Sequence, residues 1–365
     1  MTSTLYALGS NSSGQLGIGS FHDASETTLC MLDRTTPFTL PEGEAITKIR
    51  GGGNHTLLLT SLGGVFVAGD SSSSLPHTAN QNYFQNLNVP TVFQTDAHIK
   101  VTDIATTWSA SFFVLSDQIV YSCGVGTKGE LGLGEQQQSA ATPQPVLDLG
   151  MYGEDRSTVR AIEGGLDHVV LMTSDGELYG WGTARKGQLG DAAVENKMLW
   201  APWRVGTLTD PRYLALGRNY TFIGHATGQK TFLGDSKHFF GQEPLELSED
   251  CMVTSGWSNL YALNAGKIQA TGRNDRGQVP SADMPPLCLL MAGSEHAVGC
   301  TVDGAVVAFG WGEHGNCGKP LDVKGNVAGR YNIITVPNAN TDVVCLIGAG
   351  CATTFIGVKV SANDN

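Results

Sequence analysis

Charge is scarce in this 365-residue sequence, and positive charge is scarcer still: 22 Lys and Arg stand against 34 Asp and Glu, and charged residues make up only 15% of the chain. The densest basic spot is one pair, Arg185-Lys186. A surface that neutralises a nucleic-acid backbone needs clustered cations, so direct nucleic-acid binding is set aside. Long apolar runs are missing too. None approaches the ~20 residues that cross a bilayer as a helix, and no membrane segment is expected. The opening Met1-Thr2-Ser3-Thr4-Leu5-Tyr6 has neither the basic stretch nor the apolar core of a leader, so a cytoplasmic or nuclear location is expected. Eight cysteines occur without one Cys-x-x-Cys pair. Cys123, Cys300 and Cys345 lie in apolar, strand-like runs and read as small buried hydrophobes, not as disulfides or zinc ligands. Catalytic signatures are equally absent: there is no Gly-x-Ser-x-Gly elbow, His-Glu-x-x-His helix or P-loop lysine. The expectation is a non-enzyme with no cofactor and no metal.

Glycine, with 47 residues, is what the chain has in abundance. A five-residue spacing recurs at Gly9/Gly14, Gly124/Gly129, Gly182/Gly187, Gly272/Gly277 and Gly310/Gly315. The second glycine often leads a tail such as Gly14-Gln15-Leu16-Gly17, Gly129-Glu130-Leu131-Gly132 or Gly187-Gln188-Leu189-Gly190. Self-similarity of this kind marks a repeat protein. The best copy, Val159 to Gly190, reads as strand, turn, strand, turn, strand, with Asp175-Gly176 supplying a tight hairpin. Seven copies line up on one frame position, held in turn by His55, Phe112, His168, Tyr220, Leu260, His296 and Thr353. The steps from Tyr220 to Leu260 and from Leu260 to His296 are the shortest, which predicts two trimmed copies.

The two ends complement each other. The seventh copy stops after its inner strands near Val358-Lys359-Val360, and the chain opens with the missing half, Leu5-Tyr6-Ala7-Leu8-Gly9. Joining them would close a ring and leave no sheet edge exposed at the seam. The predicted fold is all-β: a seven-bladed propeller closed by a composite blade of N- and C-terminal strands, one domain over residues 1–365.

The frame resembles the regulator-of-chromosome-condensation repeat family, whose members form seven-bladed propellers. The matching residues are the Gly-x-x-His turns (Gly52/His55, Gly165/His168, Gly293/His296), the Leu-Tyr-Gly-Trp-Gly strand at 178–182 and the Gly-Gln-Leu-Gly tails. Trp-Asp dipeptides, the mark of the other common propeller repeat, are absent. The opening Leu5-Tyr6-Ala7-Leu8-Gly9-Ser10-Asn11 and the compact late copies are similar to a fungal subgroup, the alpha-tubulin-suppressor or killer-toxin-insensitivity propellers. That resemblance implies a non-catalytic adaptor that pairs with a small zinc-binding, electron-carrying protein. The pair would support Elongator-dependent tRNA wobble-uridine modification and diphthamide biosynthesis. The alternative the family offers is a guanine-nucleotide exchange factor for a Ran-like small GTPase; a ubiquitin-ligase or scaffolding fragment ranks third.

Candidate sites must depart from the repeat. His55, His168 and His296 share one frame position in separate blades, so they are read as structural, bracing their turns by hydrogen bonds, and not as a ligand cluster. Gly124-Val125-Gly126-Thr127-Lys128-Gly129 matches a dinucleotide-binding string, but Glu130-Leu131-Gly132 cannot open the helix such a site needs. Trp181 stands in line with the residue before each frame glycine and reads as core. Trp108, Trp257 and Trp311 fall in or beside turns, while Trp200, Trp203 and Arg204 lie in what reads as a connector. These six residues are the partner-binding candidates, since exposed Trp and Arg are enriched in interface hot spots. Residues 71–81 and 135–142 read as solvated loops.

Overall fold

The repeat folds as sequence spacing dictates. His168–Thr173 pairs antiparallel with Glu177–Thr183 from His168↔Gly182 to Met172↔Leu178, and Gly176 takes the positive φ of 86° in the turn between them. The computed structural model describes residues 3–71, 74–76, 81–150, 157–237, 239, 245–337 and 343–359. Among these the helical elements are Val89–Phe93 and the 3₁₀ turn Asp191–Asn196. Seven antiparallel sheets make up the rest.

Numbered by frame residue, blade one holds Ile46–Gly51, His55–Thr60, Val65–Gly69 and Gln85–Leu87. Blade two holds Val101–Thr106, Ala110–Leu115, Ile119–Val125 and Ser139–Asp148; blade three holds Val159–Gly164, His168–Thr173, Glu177–Thr183 and Met198–Thr207. Blades four (Pro211–Leu216, Tyr220–His225, Lys230–Gly234) and five (Met252–Ser255, Asn259–Asn264, Lys267–Gly272) have three strands each among the described residues, as the short spacings predict. Blade six holds Leu287–Ala292, His296–Thr301, Val306–Trp311 and Asn326–Ile334. Blade seven is composite: Val343–Ala349 and Thr353–Lys359 continue into Ser3–Gly9 and Ala24–Leu29. Ser3–Gly9 pairs with Thr353–Lys359 without a register break, from Ser3↔Lys359 to Gly9↔Thr353. First strands touch first strands all the way round, so the chain is a seven-bladed β-propeller about a central channel.

Register corrects two frame assignments. The residue opposite the frame glycine is His55, His168, Tyr220, His296 or Thr353 as expected, but Ala110 faces Gly124 and Asn259 faces Gly272. Phe112 and Leu260 are fully buried and draw a sequence alignment by their hydrophobicity. Hydrogen-bond pairing sets the true frame, and a one-residue slip would turn a strand's whole core face outward. In all seven turns the N–H three residues before the frame residue donates to its carbonyl: Gly52, Thr107, Gly165, Gly217, Gly256, Gly293 and Gly350.

Other readings change as well. The presumed connector holding Trp200, Trp203 and Arg204 is the fourth strand of blade three, and residues 139–142 open the fourth strand of blade two. Cys123 and Cys300 are buried, but Cys345 is exposed. It sits at a bulge that recurs in the first strands, where Thr47, Thr102, Cys288 and Cys345 each reach a carbonyl of the next strand at 3.2–3.4 Å. Of residues 71–81, His77 and its neighbours at 72, 73 and 78–80 lie outside the described residues, as does Val360.

The core lies in the seams. Leu57, Val67, Ile104 and Phe113 fill the space between blades one and two; Phe112, Ile162, Val169 and Trp181 fill the next. Polar links stitch the same seams. The carbonyls of Gln15, Ser74, Gln188 and Asn316, each in the loop after a third strand, accept the hydroxyls of Thr56, Ser111, Thr221 and Thr354 on the following blade at 2.6–2.8 Å. Trp181 Nε1 does the same for the Glu130 carbonyl at 2.8 Å, the Tyr220 hydroxyl donates to the Asn259 carbonyl at 2.7 Å, and Gln278 Nε2 donates to Glu295 at 2.8 Å. Every seam therefore carries a buried or half-buried polar tie.

Of the frame histidines, His168 and His296 belong to this system; their ring bonds run to the next blade and not, as expected, to their own turns. Because Thr221 and Thr354 give their protons to loop carbonyls, they accept from His168 Nε2 (3.2 Å) and His296 Nε2 (3.0 Å). The imidazoles thus tie blade to blade while lying over Gly165 and Gly293 of their own turns. Burial lowers the pKa of His55, His168 and His296 to about 4.

Two outcomes follow from this build. Each neutral histidine contributes stability that is complete above its free pKa near 6.5 and is lost as pH falls from there through about 4, on the order of a few kcal/mol per site. Thermal melts from pH 7 to pH 4.5 should fall steeply, and His168→Asn with His296→Asn should flatten that slope. Removing residues 1–19 takes away the third strand of the composite blade, exposes Thr353–Lys359 as an edge and should cause aggregation. Size-exclusion and melting of the truncated chain check this; a soluble, cooperatively melting product contradicts ring closure.

Candidate functional site

Alternating strand direction puts the turns before each second strand and the long loops after each third strand on one face of the ring. The two sets interlock within each blade: the N–H after each frame glycine donates to the carbonyl of the residue before the same blade's frame residue, as in Asp70 to Asn54, Val125 to Ser109, Thr183 to Asp167 and Trp311 to Glu295. Loop conformation is fixed locally. The N–H groups of Ser13, Lys128, Lys186 and Arg276 donate to the side chains of Gln15, Glu130, Gln188 and Gln278 at 2.7–2.9 Å. The glycine string at 124–129 is one of these loops and opens no helix, as expected.

At the centre of this face, the residue two before each frame position rings the channel mouth: Gly53, Trp108, Leu166, Arg218, Trp257, Ser294 and Cys351. Backbone bonds join neighbours around it, Gly53 N–H to Trp108 O (2.8 Å), Trp108 N–H to Leu166 O (3.0 Å), Arg218 N–H to Trp257 O (2.8 Å) and Trp257 N–H to Ser294 O (2.7 Å). Trp108 comes from blade two and Trp257 from blade five, yet their rings meet with centroids 5.8 Å apart. The Trp108 indole lies flat on Gly53, where a Cβ would fall 2.7 Å from the ring. Trp108 is still 41% exposed, so this pair roofs the channel and faces solvent at once.

Beneath the roof is a cavity of about 190 Å³, walled by turn glycines and by Thr107, Thr254 and Cys351. Its polar floor joins three blades. Lys48 Nζ lies 2.6 Å from Asp103 and 3.1 Å from Glu163, and Arg50 grips both Glu163 oxygens at 2.6 and 3.1 Å. Burial pushes the Glu163 carboxyl up, but Arg50 and Lys48 outweigh it and hold it below its ordinary range. Two cations and two anions balance across the three blades.

The other candidates divide. Trp311 lies on the same face, one residue past Gly310; the Arg276 guanidinium sits 5.2 Å from its ring centroid, and Nε1 donates to Glu313 at 3.2 Å. Trp200, Trp203 and Arg204 lie on the outer rim of blade three, Arg204 paired with Glu177 and Trp203 43% exposed. The structure therefore brings Trp108 and Trp257 together, keeps Trp311 on their face and puts the other three elsewhere. Sequence reading overlooked Arg218 and Leu166 at the mouth. The signal existed: with Ala110 and Asn259 as frame residues, Trp108 and Trp257 occupy one repeat position, which the misplaced frame concealed.

The frame histidines are buried and hard to protonate, burial pushes the Cys351 thiol up to about 11, and no group of three His, Cys, Asp or Glu residues converges among the described residues.

A closed propeller with an aromatic-roofed channel and a continuous loop face defines a repeat scaffold for protein contacts. The chain belongs to the regulator of chromosome condensation (RCC1) repeat family. Models of that repeat match residues 3–59, 117–172 and 159–188. An RCC1 repeat-containing protein of Schizosaccharomyces pombe, C10F6.04, is 30% identical over 97% of this chain and 99% of its own length. The secretion-regulating guanine nucleotide exchange factor of Bos taurus is 27% identical over 86% of this chain and 75% of its own length. Prp20p of Saccharomyces cerevisiae shares the fold, with a TM-score of 0.81 at 20% identity over 100% of this chain and 93% of that one. Propellers of this family are typically non-catalytic regulators or exchange factors.

Proposed function

We propose that the protein is a non-catalytic binding adaptor whose loop face docks a small partner protein across the channel mouth. The observation that carries the reading is the meeting of Trp108 and Trp257, two large rings from opposite sides of the ring held half in solvent by a rigid scaffold. Rigid, partly desolvated tryptophans are the usual anchors of an interface. The partner we propose is a small zinc-binding, electron-carrying protein, and the role is support of Elongator-dependent tRNA wobble-uridine modification and diphthamide formation. The similarity of the opening strand and the trimmed blades to the fungal subgroup supports that assignment. Purified chain should co-elute with the zinc protein of its own species. Trp108→Ala and Trp257→Ala should each weaken binding about tenfold or more with an unchanged melting temperature. No co-elution rejects this partner, and unaltered affinity in both variants removes the mouth from the interface.

A second reading is exchange of guanine nucleotide on a Ran-like small GTPase, favoured by the fold shared with Prp20p and by the identity with the bovine exchange factor. It predicts accelerated release of labelled GDP from such a GTPase. A flat trace at micromolar propeller excludes it.

A further inference from the structure

On a chain of net charge −12, one sector of the loop face is populated by cations. Arg185 and Lys186 cap the loop of blade three, Arg218 stands at the channel mouth in blade four, and Arg273 and Arg276 lie on the loop of blade five. These are consecutive blades, and Trp257 and Trp311 fall among the charges. Of the five cations, Arg273 alone has an ion-pair partner among the described residues, Asp275. The anions nearby are paired in part. Asp275 pairs with Arg273 and Asp235 with Lys237, and Asp191 and Glu195 lie on the adjoining 3₁₀ turn with Lys197 beside them; Glu295 and Glu313 accept from the neutral donors Gln278 and Trp311 and keep their charge at the blade-six side of the sector.

We propose that this sector, Arg218 and Arg276 with Trp257 and Trp311, binds an acidic strip interleaved with apolar side chains on a partner protein. The inference rests on the loop face being the docking face, and it adds what that face recognises. Arg218 is exposed, and its backbone N–H donates to the Trp257 carbonyl, so the two residues are neighbours at the mouth. Arg276 is held with its guanidinium over Trp311. A guanidinium resting on a ring keeps its N–H edge free to grip a carboxylate through two bonds. Apolar neighbours that exclude water strengthen such a pair. A carboxylate-bearing strip with apolar residues between its charges satisfies both halves of the surface.

An extended nucleic acid fits less well. The cations are interrupted by carboxylates, and the negative charge of the remaining molecule repels a long polyanion, whereas a short protein strip contacts the sector alone. Trp108, Leu166 and Trp257 form a compact apolar centre and not a stacking groove along a strand.

The test is retention of the intact chain on an immobilised copolymer of Glu and Leu at low salt, beside a single-stranded DNA-cellulose column. Wild-type protein should be retained on the copolymer despite its net charge, elute as salt rises, and pass through the DNA column. Arg218→Glu with Arg276→Glu should abolish retention with an unchanged melting temperature, and Trp257→Ala should weaken it. Flow-through of the wild type, retention unaffected by the double reversal, or preference for DNA each overturns the proposal. The zinc protein separates the two readings. If it co-elutes and the double reversal changes its affinity by less than about twofold, the adaptor reading stands and this inference falls. If the copolymer binds through the two arginines but the zinc protein does not co-elute, the acidic-strip site stands and that partner is rejected.

Discussion

A donor group that reaches over each blade seam to take a polar oxygen of the neighbouring blade is the constraint on which this structure depends. Leaving a buried carbonyl without a donor costs about 1–3 kcal/mol, so the seam closes only in the register that supplies one. Thr221 shows the economy of the device: its hydroxyl donates to the Gln188 carbonyl and accepts from His168, so one side chain joins two blades and fixes a histidine tautomer. Thr354 repeats the arrangement with Asn316 and His296 at the seam into the composite blade. Apolar burial between blades drives the ring together, but it is tolerant of sliding. The directional bonds select one alignment.

That alignment also builds the functional face. Locking neighbouring turns edge to edge brings seven equivalent residues to the channel mouth, and the repeat leaves their side chains free to vary. Six turns keep glycine three residues before the frame position because the frame side chain, the neighbouring blade or both leave no space there; a Cβ on Gly165 would fall 2.4 Å from the Gly217 carbonyl, and one on Gly217 1.9 Å from the Tyr220 ring. One residue further on, space opens toward solvent, and Trp108, Leu166, Arg218 and Trp257 occupy it. Scaffold and recognition surface are thus separated by a single step along the chain. Below them the Lys48–Asp103–Glu163–Arg50 group ties the first strands of blades one, two and three together.

Much of this was legible beforehand. Glycine spacing, the Asp175-Gly176 hairpin and the complementary ends specify a closed ring of seven small sheets, and the histidines declare themselves structural by repeating at one position. The site was legible in part. Trp108, Trp257 and Trp311 stand out as large rings in turns, but Leu166 and Arg218 do not, because nothing local distinguishes them from other turn residues. The misplaced frame at Phe112 and Leu260 has a plain cause: hydrophobicity peaks where side chains enter a seam, while register is set by backbone partners on another strand. The fourth strand of blade three was hidden for a related reason. Leu199-Trp200-Ala201-Pro202-Trp203-Arg204 lacks clean alternation, because an outermost strand has its core on one side for only part of its length.

By itself the sequence determined the repeat, its count, the all-β class and the pairing of the two ends, since these rest on turn chemistry and alternation that act over a few residues. Only the tertiary structure decided that residues as distant as Trp108 and Trp257 touch, that His168 and His296 bond to the next blade, and that the Arg218 backbone is tied to Trp257 at the channel mouth. The physical reason is ring closure. Turn chemistry acts within one copy, whereas the meeting of blades two and five follows from the sum of all the seams between them.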